Sequence, residues 1–313
     1  MEKKKIKVVF IAGYGRSGST LLDRILGYSL NACSTGELRH IWERGCLENQ
    51  LCGCGQKFSD CSFWQSVLAD LKDQTPSVDG VIELKRGVDR MREVPNLLFP
   101  ILRNGPKRDA YKMYSRILLN LYEAIRQESG CDVLIDSSKD PSYVYMLNAM
   151  ARDKLIDLHI LHMIRDSRAV AYSWQRSKKR PEIHWKEERM PIYSSFKSAW
   201  EWITFNFIIS LVKFSTDASY FSLQYEDFAS APDRELQKIY HFLGMDDVLS
   251  PIFTGQSVEL PLAHTISGNP MRFENGATRI KPDTEWVEKF SPAKKFLVTC
   301  LTFPLLLYYR YRL

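Results

Sequence analysis

The sequence predicts an α/β fold of three layers, α/β/α, built on a central parallel sheet, with a helical and loop insertion after the first strand and helix. Three observations carry this reading. The run from Ile6 to Leu22, IKVVFIAGYGRSGSTLL, passes from an apolar strand through a glycine- and hydroxyl-rich loop into a helix. Short apolar runs return at Val133–Ile135, Leu158–Ile164 and Tyr220–Gln224, each followed by polar residues and a helical stretch. Repeated strand-then-helix order calls for parallel strands with crossover helices. Residues 41–108 lose that rhythm: Pro76, Pro95, Pro100 and Gly105 break up amphipathic stretches, with no repeat and no low-complexity run. This segment reads as an insertion covering the site. At 313 residues and 45% hydrophobic content, one domain over 1–313 can bury a large core.

The first element is the most specific. Gly13, Gly15 and Gly18 let the backbone approach a ligand, and a helix starting near Ser19 turns its unpaired amides and positive dipole end toward an anion. The spacing Gly13-x4-Gly18 is P-loop-like, but Ser19, followed by Thr20, stands where a triphosphate-binding loop needs lysine. The cation lies inside the loop instead, as Arg16. Next, Cys33 to Leu38 forms a short strand-like turn that brings Glu37 to the same edge, ahead of a helix over Leu38 to Arg44. After the insertion, a helix over Tyr111 to Gln127 stops at Gly130. The Val133 strand then delivers Asp136-Ser137-Ser138-Lys139, and the following strand delivers Arg165-Asp166-Ser167-Arg168. Ligands of open parallel sheets bind beyond the carboxyl ends of the strands, so Arg16, Ser17, Lys139 and Arg165 converge on one crevice. Ser173 follows Arg165 by eight positions, about two helical turns, which returns a hydroxyl to the arginine's side to clamp one phosphate.

The formal charge of +6 favours anionic ligands, but no basic stripe with interleaved aromatics points to nucleic acid. Three lysines in residues 1–5 lead straight into the first strand, without the apolar segment of a signal peptide, and the N-terminus is cytoplasmic in character. Phe296 to Tyr309 is apolar but shorter than the roughly 20 residues that span a bilayer, and Pro304 interrupts it. It reads as a packing helix, with peripheral membrane contact as the alternative. Four of seven cysteines crowd at Cys46, Cys52, Cys54 and Cys61, in a spacing unlike the paired C-x2-C knuckles of common zinc modules. Zinc, a labile disulfide and free thiols all stay open there, and no metal ligand is assigned. Cys33, Cys131 and Cys300 read as small core residues, and Trp200 and Trp202 as partly core.

The loop Arg16-Ser17-Gly18-Ser19-Thr20, together with Arg165-Asp166-Ser167-Arg168-Ala169 and Ser173, resembles the 5′-phosphosulfate and 3′-phosphate motifs of sulfotransferases that use 3′-phosphoadenosine 5′-phosphosulfate (PAPS). The likeness spans most of the chain and leans to the carbohydrate and tyrosylprotein branches, which carry arginine at the Arg16 position, and to soluble bacterial members. It implies that Gly15, Arg16, Ser17, Gly18, Ser19 and Thr20 bind the 5′-phosphosulfate, that Arg165 and Ser173 bind the 3′-phosphate, and that a hydroxyl acceptor (carbohydrate, lipid or small metabolite) takes the sulfuryl group in line, without metal. Tyr225, in Tyr225-Glu226-Asp227, and Arg272, in the loop His264–Phe273, also look like family features, and that loop is expected to close over the nucleotide. Arg279 is a further candidate nucleotide ligand, with a surface charge as its alternative.

Three residues are assigned to chemistry. Arg16 stabilises the leaving group electrostatically but does not readily donate its proton. Lys139 faces the sulfuryl group or the substrate, with a solvated turn lysine as the alternative. Glu37, in a Gly-Glu pair, is the candidate base, against a glutamate that merely caps the next helix. His40, His162, His184 and His264 are weaker candidates, and His162 is expected to point into the sheet packing. A P-loop kinase-like enzyme, or a non-catalytic nucleotide-binding or zinc-stabilised interaction protein, is the competing reading.

Overall fold

The computed structural model describes residues 5–72, 74–214, 218–248, 253 and 257–312. The chain runs β1 (Lys7–Ala12), α1 (Ser19–Ser29), β2 (Cys33–Gly36), α2 (Ser62–Leu71), α3 (Val78–Val88), α4 (Val94–Leu98), α5 (Gly105–Ser129), β3 (Val133–Lys139), α6 (Pro141–Arg152) and β4 (Asp157–Ile164). It continues through α7 (Ser167–Trp174), α8 (Ser195–Leu211), β5 (Ser219–Gln224), α9 (Tyr225–Ser230), α10 (Pro232–Phe242), β6 (Ser257–Leu260), β7 (Gly276–Arg279), α11 (Glu285–Lys289) and α12 (Pro292–Tyr308). Five strands form a parallel sheet in the order β2-β3-β1-β4-β5, and β6 and β7 pair separately as an antiparallel ribbon. This is the α/β architecture the sequence predicts.

Alternation along β1 divides the interior. Val9 and Ile11 join one core with Leu22, Ile25 and Leu26 of α1 and Leu236 and Ile239 of α10. Val8, Phe10 and Ala12 face the opposite core, shared with α5 and α6. Trp64, Val67 and Leu71 of α2 and Val81 of α3 belong to that second core, so residues 41–108 pack against α5. A third cluster joins Ile164, Val170, Trp202 and Leu306 where α7, α8 and α12 meet.

Several elements depart from their sequence boundaries for local reasons. Gly105 opens α5 instead of breaking the chain, because Pro106 falls in the first helical turn, where its missing N–H costs nothing. The polar run Asp136-Ser137-Ser138 is the buried end of β3, tolerated because Tyr122 donates to Asp136 at 3.0 Å and Ser137 donates to Asp23 at 2.7 Å. Residues Leu38–His40 form a tight turn and Ile41–Leu47 a wide π-type turn, in place of one regular helix. Pro304 does not interrupt α12: it lies on the exposed face, while Val298, Thr302 and Leu306 are buried. Cys300 and Trp200 are exposed, unlike their expected core placement, whereas Trp202 is fully buried. Among the described residues no helix is long and apolar enough to cross a membrane.

Candidate active site

From β1 the chain crosses toward β2, whereas from β4 it continues to β5 on the other side. The adjacent carboxyl ends of β1 and β4 therefore border the crevice where the winding reverses, the address at which open α/β sheets bind ligands. A cleft of about 860 Å³ opens there, within the size range of small-molecule sites. Nine Lys and Arg side chains line it against four carboxylates, which makes it a basin for anions. Of the predicted site residues, it gathers Gly15, Arg16, Gly18, Ser19, Thr20, Glu37, Lys139, Arg165, Ser173 and Tyr225, with Arg279 beside them.

The loop after β1 is shaped by backbone demands that glycine meets. Gly18 caps α1 in the left-handed region at φ +88°, and a Cβ there would lie 2.6 Å from the Tyr225 ring. Leu21 and Leu22 both donate to the Gly18 carbonyl, so the amides ahead of them must find acceptors outside the helix. Arg16 itself takes a left-handed φ of +72°, unusual for a residue with a side chain. Its guanidinium lies 4.8 Å from the centre of the Trp174 ring, and Nη2 donates to the Met190 sulfur at 2.9 Å. Nε and Nη1 are buried without a hydrogen-bond partner among the described residues. Burial, then the neighbouring charge of Arg165, press this guanidinium below its ordinary pKa. A half-buried cation with two buried, undirected donors in a basic cleft has the chemistry an anion would satisfy. Ser17 differs from its expected role, because its buried hydroxyl donates to the Tyr14 carbonyl at 2.7 Å and does not line the cleft.

Arg165, at the end of β4, lies over the Tyr225 ring at 4.6 Å. It donates to the Arg16 carbonyl at 2.9 Å and to Asp283 at 2.8 Å, and its Nε has no partner among the described residues. Neither of the nearby carboxylates Asp166 and Glu226 takes this arginine. Instead Asp166 pairs with Arg168, and Glu226 accepts from the Asp166 amide and from Tyr311. Ser173 stands on the last turn of α7, on the same cleft wall.

Glu37 is fixed by an unforeseen neighbour. The segment around Ile266 pairs alongside β2: Ile266 donates to the Thr35 carbonyl at 2.8 Å, and Glu37 donates its amide to the Ile266 carbonyl at 2.6 Å. The Glu37 carboxylate then accepts from Lys139 at 2.5 Å and from Ser267 at 2.9 Å, with Arg44 at 3.5 Å. Burial alone would raise its pKa, but Lys139, Arg44 and His40 together hold it well below the usual carboxylate range. Lys139 reaches it from a left-handed backbone, φ +66°, just past a register slip between β1 and β3.

The structure corrects three placements. Arg272 does not face the cleft: it is 1% exposed and donates to the Thr265 and Leu51 carbonyls, at 2.5 and 2.7 Å, as an internal tie. His264 lies among Cys52, Cys54 and Cys61, and Cys46 stands outside that group. His162, as expected, is buried in the sheet packing, between Tyr220 and Asn206. Among the described residues of 41–108 only Arg44 lines the cleft, so the segment does not cover it as expected. Sequence reasoning missed Arg176, Lys178, Arg180 and Asp283, all cleft residues. The basic run 176–180 directly after Ser173 was the readable signal for the first three; Asp283 had none.

An α/β chain with a glycine loop and a second arginine at adjacent strand ends has the layout of the open-sheet proteins that bind ligands at the switch point. The family model of the sulfotransferase family matches residues 8–248, and the chain belongs to that family. The sulfotransferase domain from the Synechococcus PCC 7002 olefin synthase superposes with a TM-score of 0.54 at 20% identity, covering 100% of this chain and 97% of that one, a likeness of fold. The sulfotransferase domain from the curacin biosynthetic pathway gives a TM-score of 0.49 at 14% identity, over 98% of each chain. No protein of curated function matches the chain.

Proposed function

We infer that this sulfotransferase takes its sulfuryl group from PAPS and passes it to a hydroxyl of a carbohydrate, lipid or small metabolite, in the cytoplasm. The observation that carries the reading is the pair of arginines with buried, undirected donor atoms, Arg16 and Arg165, on neighbouring strand ends of one basic cleft. Their spacing across two adjacent strands suits a ligand with anions at both ends, as a nucleotide carrying a 3′-phosphate and a 5′-phosphosulfate is. Bound there, PAPS would supply an activated sulfuryl group for in-line displacement.

The chain's own residues would do the rest. Amides of the Gly18–Thr20 turn and Arg16 hold the 5′ anion, and Arg16 answers the charge that builds on the leaving side. Arg165 and Ser173 hold the 3′ anion, with Tyr225 beneath Arg165. Lys139 and Glu37 stand at the acceptor side. As it stands, Glu37 is too well neutralised by its cations to be a strong base. If Lys139 turns to a sulfuryl oxygen, the carboxylate loses its nearest positive charge and its proton affinity rises at the moment a hydroxyl proton must be taken. The family's sulfuryl chemistry asks for positioning and charge stabilisation of this kind.

Titration calorimetry tests the donor. Adenosine 3′,5′-bisphosphate should bind in the absence of magnesium, and Arg165→Ala should weaken it by roughly tenfold to a hundredfold, the about 1.5–3 kcal/mol of a charge-assisted hydrogen bond. Preference for ATP with magnesium, or equal binding by the variant, would overturn this donor assignment.

A further inference from the structure

Cys52, Cys54, Cys61 and His264 stand behind the cleft, with one ligand atom of each within 4.8 Å of the others. The Cys54 and Cys61 sulfurs are 3.8 Å apart. His264 Nδ1 is 3.8 Å from the Cys52 sulfur and 3.2 Å from the Cys61 sulfur. A disulfide needs sulfurs about 2.05 Å apart, and all seven cysteines are free. Tetrahedral zinc, with Zn–S near 2.3 Å and Zn–N near 2.0–2.1 Å, sets its sulfurs about 3.8 Å apart and sulfur to nitrogen about 3.5 Å. The observed distances fall around those edges.

The scaffold is that of a built site. Cys52 donates its amide to the Gln56 carbonyl and Gly55 donates to the Cys52 carbonyl, both at 2.8 Å, folding Cys52–Gln56 into a tight knuckle. Gly53 presses onto the other segment, donating to the Thr265 carbonyl at 3.0 Å, and a Cβ there would collide with the Ala263 carbonyl and the Thr265 hydroxyl. Cys61 caps α2, where the positive helix end favours a thiolate. The His264 ring is stacked on Phe63, centroids 4.9 Å apart and planes 9° from parallel, which aims Nδ1 at the sulfurs. Cys52 and Cys61 are buried, at 1% and 0% exposure.

We propose that Cys52, Cys54, Cys61 and His264 bind one zinc ion through three thiolates and Nδ1, a closed structural site that rivets the insertion to the loop carrying Ser267, Gly268 and Asn269. Three soft sulfurs and one imidazole in tetrahedral reach select zinc over oxygen-seeking magnesium or calcium. The ion's place in the fold makes its role structural, because the same loop, beyond His264, supplies the Ser267 hydroxyl to Glu37 and the Asn269 amide to the Thr20 hydroxyl at 3.3 Å. The metal therefore fixes the far wall of the cleft without touching a reacting atom.

Elemental analysis of the full chain, produced in zinc-supplemented medium and purified without chelator, should find one zinc per chain. Cobalt exchanged into the same protein should show the thiolate charge-transfer and strong visible bands of a tetrahedral sulfur-rich site. Cys54→Ser and His264→Ala should lose stoichiometric metal, whereas Cys46→Ser and His264→Cys should keep it. Folded wild-type protein with no stoichiometric zinc and no cobalt spectrum, or a native disulfide within the trio found by mass spectrometry, would overturn the proposal. Metal retained in both Cys54→Ser and His264→Ala, or lost in Cys46→Ser, would overturn this ligand set. Should Cys54→Ser or His264→Ala fail to fold, the wild-type metal content and the Cys46→Ser comparison still decide.

Discussion

Asp23 is buried on α1 with one oxygen held by the Ser137 hydroxyl at 2.7 Å and the other without a partner among the described residues. Burial pushes its pKa up to about 7, against the pull of Ser137. In the unfolded chain the same group ionises near pH 4. Between about pH 4 and pH 7 the folded chain thus keeps a proton that the unfolded chain has released, and this contribution to stability falls as pH rises through that window, then levels. In Asp23→Asn, urea midpoints measured from pH 4 to pH 8 should lose that downward slope; an unchanged slope would transfer the effect to other groups such as Asp136. Glu37 shows the opposite sign and a functional stake. Glu37→Gln should keep bisphosphate affinity within about threefold and cut transfer at least a hundredfold, the low end of general-base contributions, measured with labelled donor; near-full turnover would remove Glu37 as the base. At this scale the sequence announced Arg16, Arg165 and Glu37, because each follows a strand in a recognisable motif. It could not announce that Arg272 turns inward or that His264 meets three cysteines, since those contacts join residues more than 200 positions apart.

At the level of elements, the strand, turn and helix at the start of the chain is the part most constrained by geometry. Gly18 combines a left-handed backbone with a neighbouring ring that leaves no room for a methyl group. Gly18→Ala should therefore lower bisphosphate affinity at least tenfold by calorimetry, while the strain of a left-handed alanine, roughly 1–2 kcal/mol, leaves the protein folded. Unchanged affinity in a folded variant would mean that the turn does not hold the anion. Parallel pairing was readable from the repeated strand-then-helix order, but the strand order was not; alternation sets only that Val9 and Ile11 face one layer and Val8 and Phe10 the other. The polar end of β3 was not, because Asp136 and Ser137 are satisfied by Tyr122 and Asp23, partners brought only by the fold. The start of α5 was misplaced for a simpler reason: Gly105-Pro106 looks the same whether it ends an element or begins one.

For the whole molecule, the sheet acts as a frame whose two faces carry different duties. The face shared with α5 and α6 also takes in the helices of residues 41–108, which explains a large apolar share in a segment that looked irregular. The opposite face carries α1 and α10, and the β6-β7 ribbon reaches α1, where Arg24 donates to the carbonyls of Leu260, Met271 and Glu274. Cleft residues thus come from both ends of the chain, which is why motif reading found the strand-end arginines but not the outer wall of Lys178, Lys281 and Asp283. One bond gives this frame a further meaning. Arg165 donates to the main-chain carbonyl of Arg16, so the two anion-seeking side chains are not separate grips but the jaws of a single caliper, set one strand spacing apart. On the proposed donor reading, such a caliper would set the span between a ligand's two charges, so a change at either jaw is felt at both.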